Sequence, residues 1–175
     1  VVSGKFSLKV LKEVMKETTF LTSMVFMILI GATAFSLVFR GLEGDDLLIG
    51  LIKDANLSPG AFLAVVLIVV FIVGFFIDFI EIVFIIVPVV APIFLALEID
   101  LVWIGILLAV NLQTSFLTPP FGFALFYLKG VAPDSVKTTD IYKGIVPFVL
   151  IQIAFLLMLI AFPEIVSFLP ELLAD

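Results

Sequence analysis

The sequence predicts an all-α polytopic membrane protein, and three observations predict it. Of its 175 residues, 63% are hydrophobic and 14% are charged, against about 45–50% and about 25% in ordinary soluble domains. Mean hydropathy is +1.39. Several apolar runs reach the roughly 17–25 residues that a bilayer-spanning helix needs. The same composition closes off whole classes of chemistry. There is no Cys and no His, which removes thiol nucleophiles, the usual zinc sets and Ser–His–Asp catalysis. The net charge of −6 is carried mostly by short links and the C-terminus, so no basic footprint of a nucleic-acid binder is present. Val1 is not a natural initiator and no signal-peptide pattern follows it; the expectation is a fragment, or a chain cut from something larger.

Residues 1–18 form the first unit, an amphipathic interfacial helix. Lys5, Lys9, Lys12 and Lys16 share one face of a helix over 4–18, and a basic amphipathic helix suits an anionic membrane surface. Residues 19–175 form the transmembrane unit, with spans at about 20–40, 61–76, 79–97, 101–129 and 141–165. The first span carries Gly31, Ala32, Ala34 and Ser36, small residues that let helix backbones approach. Arg40 ends it as an anchor at the negative helix end. In the polar link 41–60, Leu47, Leu48, Leu51 and Ile52 have the spacing of a short amphipathic helix. Ser58-Pro59 then reads as an N-cap and a first helical position.

The run from Ala61 to Leu97 is too long for one simple span, and Gly74, Asp78 and Glu81 interrupt it. It reads either as two crossings meeting near Gly74–Asp78 or as a hairpin that enters the membrane without crossing. Pro88 and Pro92 are expected to kink the second segment or end it in a loop. Glu98-Ile99-Asp100 is a short acidic link. The span 101–129 is expected to break near 116–122, and 141–165 is interrupted mildly by Pro147 and ends near Pro163. Lysines at 5–16 and at 129–143 place the N-terminus and the 130–142 loop on the cytoplasmic side, and five crossings then put the C-terminus outside.

The stretch Asn111-Leu112-Gln113-Thr114-Ser115-Phe116-Leu117-Thr118-Pro119-Pro120-Phe121-Gly122 is the strongest candidate site. Two prolines supply no N–H, and residues that precede prolines leave the helical region. A helix broken in a bilayer must satisfy its backbone within the protein or in a wet cavity. The half-helix before the break exposes carbonyls, suited to a cation. The half-helix after it exposes N–H groups, suited to a carboxylate. Thr114, Ser115 and Thr118 add hydroxyls, Asn111 and Gln113 add amides, and Gly122 permits close backbone approach. Secondary transporters place coupling ions at such breaks. The second candidate is Gly74 with Asp78. A carboxylate in an apolar segment is a functional candidate by default, and Asp78 equally reads as the N-cap of a helix starting at Phe79.

These residues carry a resemblance. The segment Asn111 to Pro133, with its Leu117-Thr118-Pro119-Pro120-Phe121-Gly122 core, Leu125-Phe126 and Gly130-Val131-Ala132, resembles the C-terminal half of the large membrane (permease) subunit of tripartite ATP-independent periplasmic (TRAP) transporters. Gly74-Phe75-Phe76-Ile77-Asp78 with Pro88 and Pro92, and Ile30-Gly31-Ala32-Thr33-Ala34-Phe35, are similar to that family's segments in the same order. The resemblance implies one half of an inverted-repeat, elevator-type transporter with a helical hairpin and a broken helix. It implies a Na⁺-coupled importer of organic acids (carboxylates), with Na⁺ as coupling ion and no other cofactor. Its partners would be a periplasmic substrate-binding protein, a small membrane subunit, the lipid bilayer and the missing N-terminal half of the same subunit. The location would be the cytoplasmic (inner) membrane of a bacterium or archaeon.

Among the matching positions, Gly74, Asp78, Thr114, Ser115, Thr118, Pro119 and Gly122 fall where the family's sodium sites are expected, with Thr118, Ser115 and Gly122 as metal-binding candidates. The family's large subunit is longer than this chain, and no internal repeat is present, so this half is not expected to transport alone. The alternatives are a structural or channel-type membrane subunit and an intramembrane aspartyl protease. The protease would need a second embedded aspartate and a Gly-x-Gly-Asp pattern, and the sequence has neither.

Overall fold

The computed structural model describes residues 7–119, 122–133 and 135–168. Lys5 and Phe6 of the basic stretch, Pro120 and Phe121 of the polar motif, and Glu171 and Asp175 of the tail lie outside the described residues. The described chain forms helices α1 (Leu8–Gly41), α2 (Gly44–Asp54), α3 (Pro59–Val73), α4 (Phe79–Ala96), α5 (Leu101–Leu117), α6 (Phe123–Val131) and α7 (Thr138–Ala161). Of these, α1, α4 and α7 are long and apolar enough to cross a membrane, while α3 and α5 are shorter apolar helices. The protein is thus an all-α polytopic membrane protein, as its composition predicts.

The first two expected elements are one. The basic stretch and the first span form a single helix of 34 residues with no joint near residue 19. Ser7 caps it by accepting the Val10 N–H at 3.2 Å. No Pro or Gly occurs between Leu8 and Ile30. Thr19, placed where a new N-cap would be needed, instead donates its hydroxyl back to the Met15 carbonyl at 2.8 Å, as a mid-helix threonine does. At 1.5 Å per residue α1 is about 51 Å long, against a hydrocarbon core of about 30 Å. Its lysine-bearing turns therefore extend past its apolar length.

Of the two outcomes expected for Pro88 and Pro92, an end in a loop does not occur, because α4 runs through both. Each proline removes one N–H from the ladder but leaves the helical path open when packing holds it. Ile82, Val90, Ile93 and Phe94 are buried and supply that packing. Phe62 at the start of α3 lies 5.0 Å, ring to ring, from Phe94 at the end of α4, so α3 and α4 form an antiparallel hairpin with its tip at 74–78. The reading of Ser58-Pro59 holds: the Ser58 hydroxyl accepts the Ala61 N–H at 3.2 Å, and Pro59 opens α3. In α2, Ile52 is buried and Leu48 packs on the core, while Leu47 and Leu51 face outward.

α5 is the central element, in contact with α3, α4, α6 and α7. Asp100 starts it by accepting the Val102 N–H at 2.6 Å. The buried stripe Ile104, Leu107, Leu108 and Leu112 of α5 meets Leu63, Val66, Leu67 and Val70 of α3 in the core. Trp103 donates its indole N–H to the Leu159 carbonyl at 2.9 Å. That bond joins the start of α5 to the end of α7, so the two run antiparallel. α7 accommodates Pro147 and stops at Phe162, just before Pro163.

Candidate functional site

The site is built where two helices end side by side. Asn111 of α5 donates its side-chain N–H to the Leu67 carbonyl of α3 at 2.8 Å, in a buried position. Farther along both helices, Gly74 lies against Ser115. A Cβ added at Gly74 would collide with the Ser115 Oγ and lie 3.1 Å from the Val70 carbonyl oxygen. Residues 67 and 74 of α3 thus pair in the same order with 111 and 115 of α5, and the helices run parallel. Their carbonyl ends, each equivalent to a partial negative charge, come to the same place.

The first break, 74–78, closes itself. Phe75 donates its N–H to Ile72, and Phe76 and Ile77 donate theirs to Val73, at 2.9–3.2 Å. Asp78 then begins α4 as its N-cap, accepting the Phe79 N–H at 2.6 Å. The second break, 118–122, is different. Thr118 is extended (φ −97°, ψ 130°), as a residue before proline must be. It donates its N–H to the Ser115 carbonyl at 3.0 Å and its hydroxyl to the Thr114 carbonyl at 2.8 Å. Gly122 has φ +33° and starts α6 with no side-chain cap. A Cβ there would lie 2.9 Å from the Phe116 carbonyl oxygen and 3.1 Å from that of Thr118. Only glycine lets the chain fold back this closely on the carbonyl end of α5.

The hydroxyls share one feature. Thr114 donates to Val110, Ser115 to Leu112 and Thr118 to Thr114, each at 2.8 Å. A hydroxyl whose only hydrogen is committed has only its oxygen lone pairs left to offer. Thr114 and Ser115 are 1% and 0% exposed, so these are buried oxygens in apolar surroundings. Hydroxyl oxygens and helix-end carbonyls thus gather at the ends of α3 and α5, and the Asp78 carboxylate stands at the start of α4.

Most of the residues singled out from the sequence meet here. Gly74, Thr114, Ser115, Thr118, Pro119 and Gly122 surround the two helix ends. Asp78 stands at the far side of the first turn, and the Phe79 and Phe116 rings, 6.2 Å apart, bring the start of α4 beside the end of α5. Asn111 sits deeper and its amide nitrogen bridges α3 and α5. Gln113 is apart from the others: it is exposed and lines a groove of about 440 Å³ with Phe79, Val83 and Ala124. Sequence reasoning passed over Gln152 of α7, whose amide oxygen is buried without a hydrogen-bond partner. The signal was available, since no other polar side chain occurs between Ile145 and Ala161.

The chain matches the family model of the tripartite ATP-independent periplasmic transporter, DctM component, over residues 1–165. It is 31% identical over 158 residues to a putative TRAP transporter large permease protein of Haemophilus influenzae, covering 89% of this chain and 38% of that protein. It is 30% identical over 153 residues to the C4-dicarboxylate TRAP transporter large permease protein DctM of Vibrio cholerae, covering 87% of this chain and 33% of that one. A 76-residue stretch is 38% identical to the sialic acid TRAP transporter permease protein SiaT of Haemophilus influenzae, covering 43% of this chain and 12% of that protein. The chain therefore spans well under half the length of these relatives. They are transporter permease subunits, a family without enzymes, which sets the aspartyl protease alternative aside.

Proposed function

The chain belongs to the DctM component family of tripartite ATP-independent periplasmic transporters, and from that premise we propose that it is the ion-binding C-terminal repeat of a Na⁺-coupled importer of organic acids. The observation that carries the reading is the convergence of the carbonyl ends of α3 and α5 beside Ser115 and Thr118. Hydroxyl and carbonyl oxygens without nitrogen or sulfur suit a hard cation. Ser115, Thr118 and the backbone around Gly122 would hold Na⁺, and the Asp78 carboxylate would add to the field. Bound, the cation would offset the two negative helix ends and stabilise their juxtaposition. That stabilisation is how an ion gradient is coupled to one conformation.

The uncapped start of α6 offers N–H groups of the opposite polarity, suited to a substrate carboxylate. Relatives named for sialic acid and C4-dicarboxylates support an acidic substrate. The hairpin α3–α4 and the break between α5 and α6 fit one half of an inverted-repeat elevator. The other half of the same subunit, a small membrane subunit and a periplasmic binding protein would complete the system in an inner membrane.

The test is uptake by the complete transporter containing this chain, reconstituted in vesicles. Thr118→Ala is expected to raise the Na⁺ concentration for half-maximal uptake several-fold, and Asp78→Asn to do so more mildly. Uptake indifferent to Na⁺, or unaltered in both variants, would sink the proposal.

A further inference from the structure

We propose that the groove between the end of α1 and the middle of α4 is a binding site for a glycerophospholipid, with its phosphate on Arg40. The groove lies apart from the two helix breaks and does not rest on the ion-site reading. Leu29, Thr33, Ser36 and Arg40 of α1 line a cavity of about 270 Å³, and Phe84 and Pro88 of α4 form the facing wall. The four α1 residues are spaced four, three and four apart, so they share one face of the helix.

Composition sets the depth of that face in a bilayer. Between Glu17 and Arg40, α1 carries no charged side chain. At 1.5 Å per residue that stretch spans about 33 Å, close to the roughly 30 Å of a hydrocarbon core. Arg40 therefore stands at the level of the lipid headgroups. It is the only arginine of the chain, and among the described residues its guanidinium has no ion-pair partner. Its planar fork of donors matches a phosphate.

One turn deeper, about 6 Å along the helix, the hydroxyl oxygen of Ser36 is buried without a hydrogen-bond partner among the described residues. Buried hydroxyls are almost always paired. Deeper again, the Thr33 hydroxyl donates to the Leu29 carbonyl at 2.7 Å. The floor of the groove is thus already satisfied, and Leu29 and Phe84 make it apolar. A cation, then an unpartnered hydroxyl, then an apolar floor follow the order of groups in a glycerophospholipid: phosphate, glycerol ester, acyl chain. A free anion would use only the first of these. A carboxylate from another membrane segment would take the arginine and leave Ser36 unpaired.

The experiment uses the complete transporter containing this chain, delipidated in detergent. Dioleoylphosphatidylglycerol is titrated back in mixed micelles. Bound lipid is counted by native mass spectrometry, and the thermal unfolding midpoint is followed in parallel. Wild type is expected to take up lipid at this groove at low lipid-to-protein ratio and to unfold at a higher temperature once it has. Arg40→Gln should weaken that binding about tenfold, as loss of a charge-assisted pair does. Arg40→Lys should weaken it less, and Ser36→Ala about fivefold, the scale of one neutral hydrogen bond. Ser36→Ala carries the test if Arg40→Gln does not assemble. Lipid binding unaltered in Arg40→Gln, or in Ser36→Ala, overturns the proposal. Inorganic phosphate that raises the unfolding midpoint as the lipid does would show a simple anion site and overturn it too. So would a wild type that binds no lipid while Arg40→Gln lowers its unfolding midpoint, which marks an ion pair within the complete subunit.

Discussion

The two helix breaks are built from different materials for different ends. The break at 74–78 is closed by its own chain: three backbone N–H groups turn back onto α3, and Asp78 caps α4. The break at 118–122 has no side-chain cap on the helix that follows, and its hydroxyls all turn their hydrogens back along α5. The first is a joint that satisfies itself and also presents a carboxylate. The second presents hydroxyl oxygens at the end of α5 and a glycine, not a capping side chain, at the start of α6. Two interruptions that look equally polar in sequence thus differ in what begins the next helix, a carboxylate cap at Asp78 and a glycine at Gly122. The Gly74–Ser115 contact makes them neighbours, so the first joint packs against the end of α5 that leads into the second.

That contact is where the comparison is most easily broken. Gly74→Ala forces a Cβ onto the fully buried Ser115 Oγ. It is expected to cost about 1–3 kcal/mol, as overpacking does, measured by thermal unfolding in detergent. The double variant with Ser115→Ala should recover part of the loss, a non-additivity expected of residues in contact. Additive losses would mean that the two breaks do not touch.

Gly122→Ala comes next. Its φ of +33° and its nearness to the Phe116 and Thr118 carbonyls predict a loss of about 1–2 kcal/mol. Na⁺-driven uptake should fall beyond what the lower amount of folded protein explains, because the carbonyl end of α5 must shift to admit a methyl group. At the first break, Asp78→Ala removes a cap and should cost about 1 kcal/mol. Asp78→Asn keeps a capping oxygen and should stay within a few tenths of a kcal/mol of wild type. Stability and uptake then separate the cap from the charge.

The smallest effect lies at a joint outside the comparison. Glu98 holds φ +57° after α4, where Ile99 donates its N–H to the Phe94 carbonyl at 2.9 Å. This is a helix end that favours glycine. Glu98→Gly is expected to stabilise the protein by about 0.5–1 kcal/mol and leave uptake unchanged. A change in uptake would show that this link is more than a connector.

The sequence determined the helical membrane class, the positions of both breaks, the Ser58 and Asp78 caps, and the family. These follow from local chemistry. Apolar length sets a span, proline removes an N–H, and a short polar side chain before an apolar run caps a helix. It misjudged α1, where local signals pointed to a joint and simple continuity won, and of its two readings for Pro88 and Pro92 the loop did not occur. Thr19 satisfied its hydroxyl within the turn it already occupied, and α4, with its buried face in the core, continued past two prolines. Asn111 and Gln113 looked equivalent, two residues apart in one polar motif. Tertiary structure alone buried one as a bridge to Leu67 and left the other on a groove, because a helix turns about 200° over two residues. Only the fold laid α3 parallel to α5. The meeting of their carbonyl ends, of Gly74 with Ser115, and of Gln152 with the cavity beside Leu117 depends on how helices pack across 40 residues of intervening chain, which no local pattern encodes.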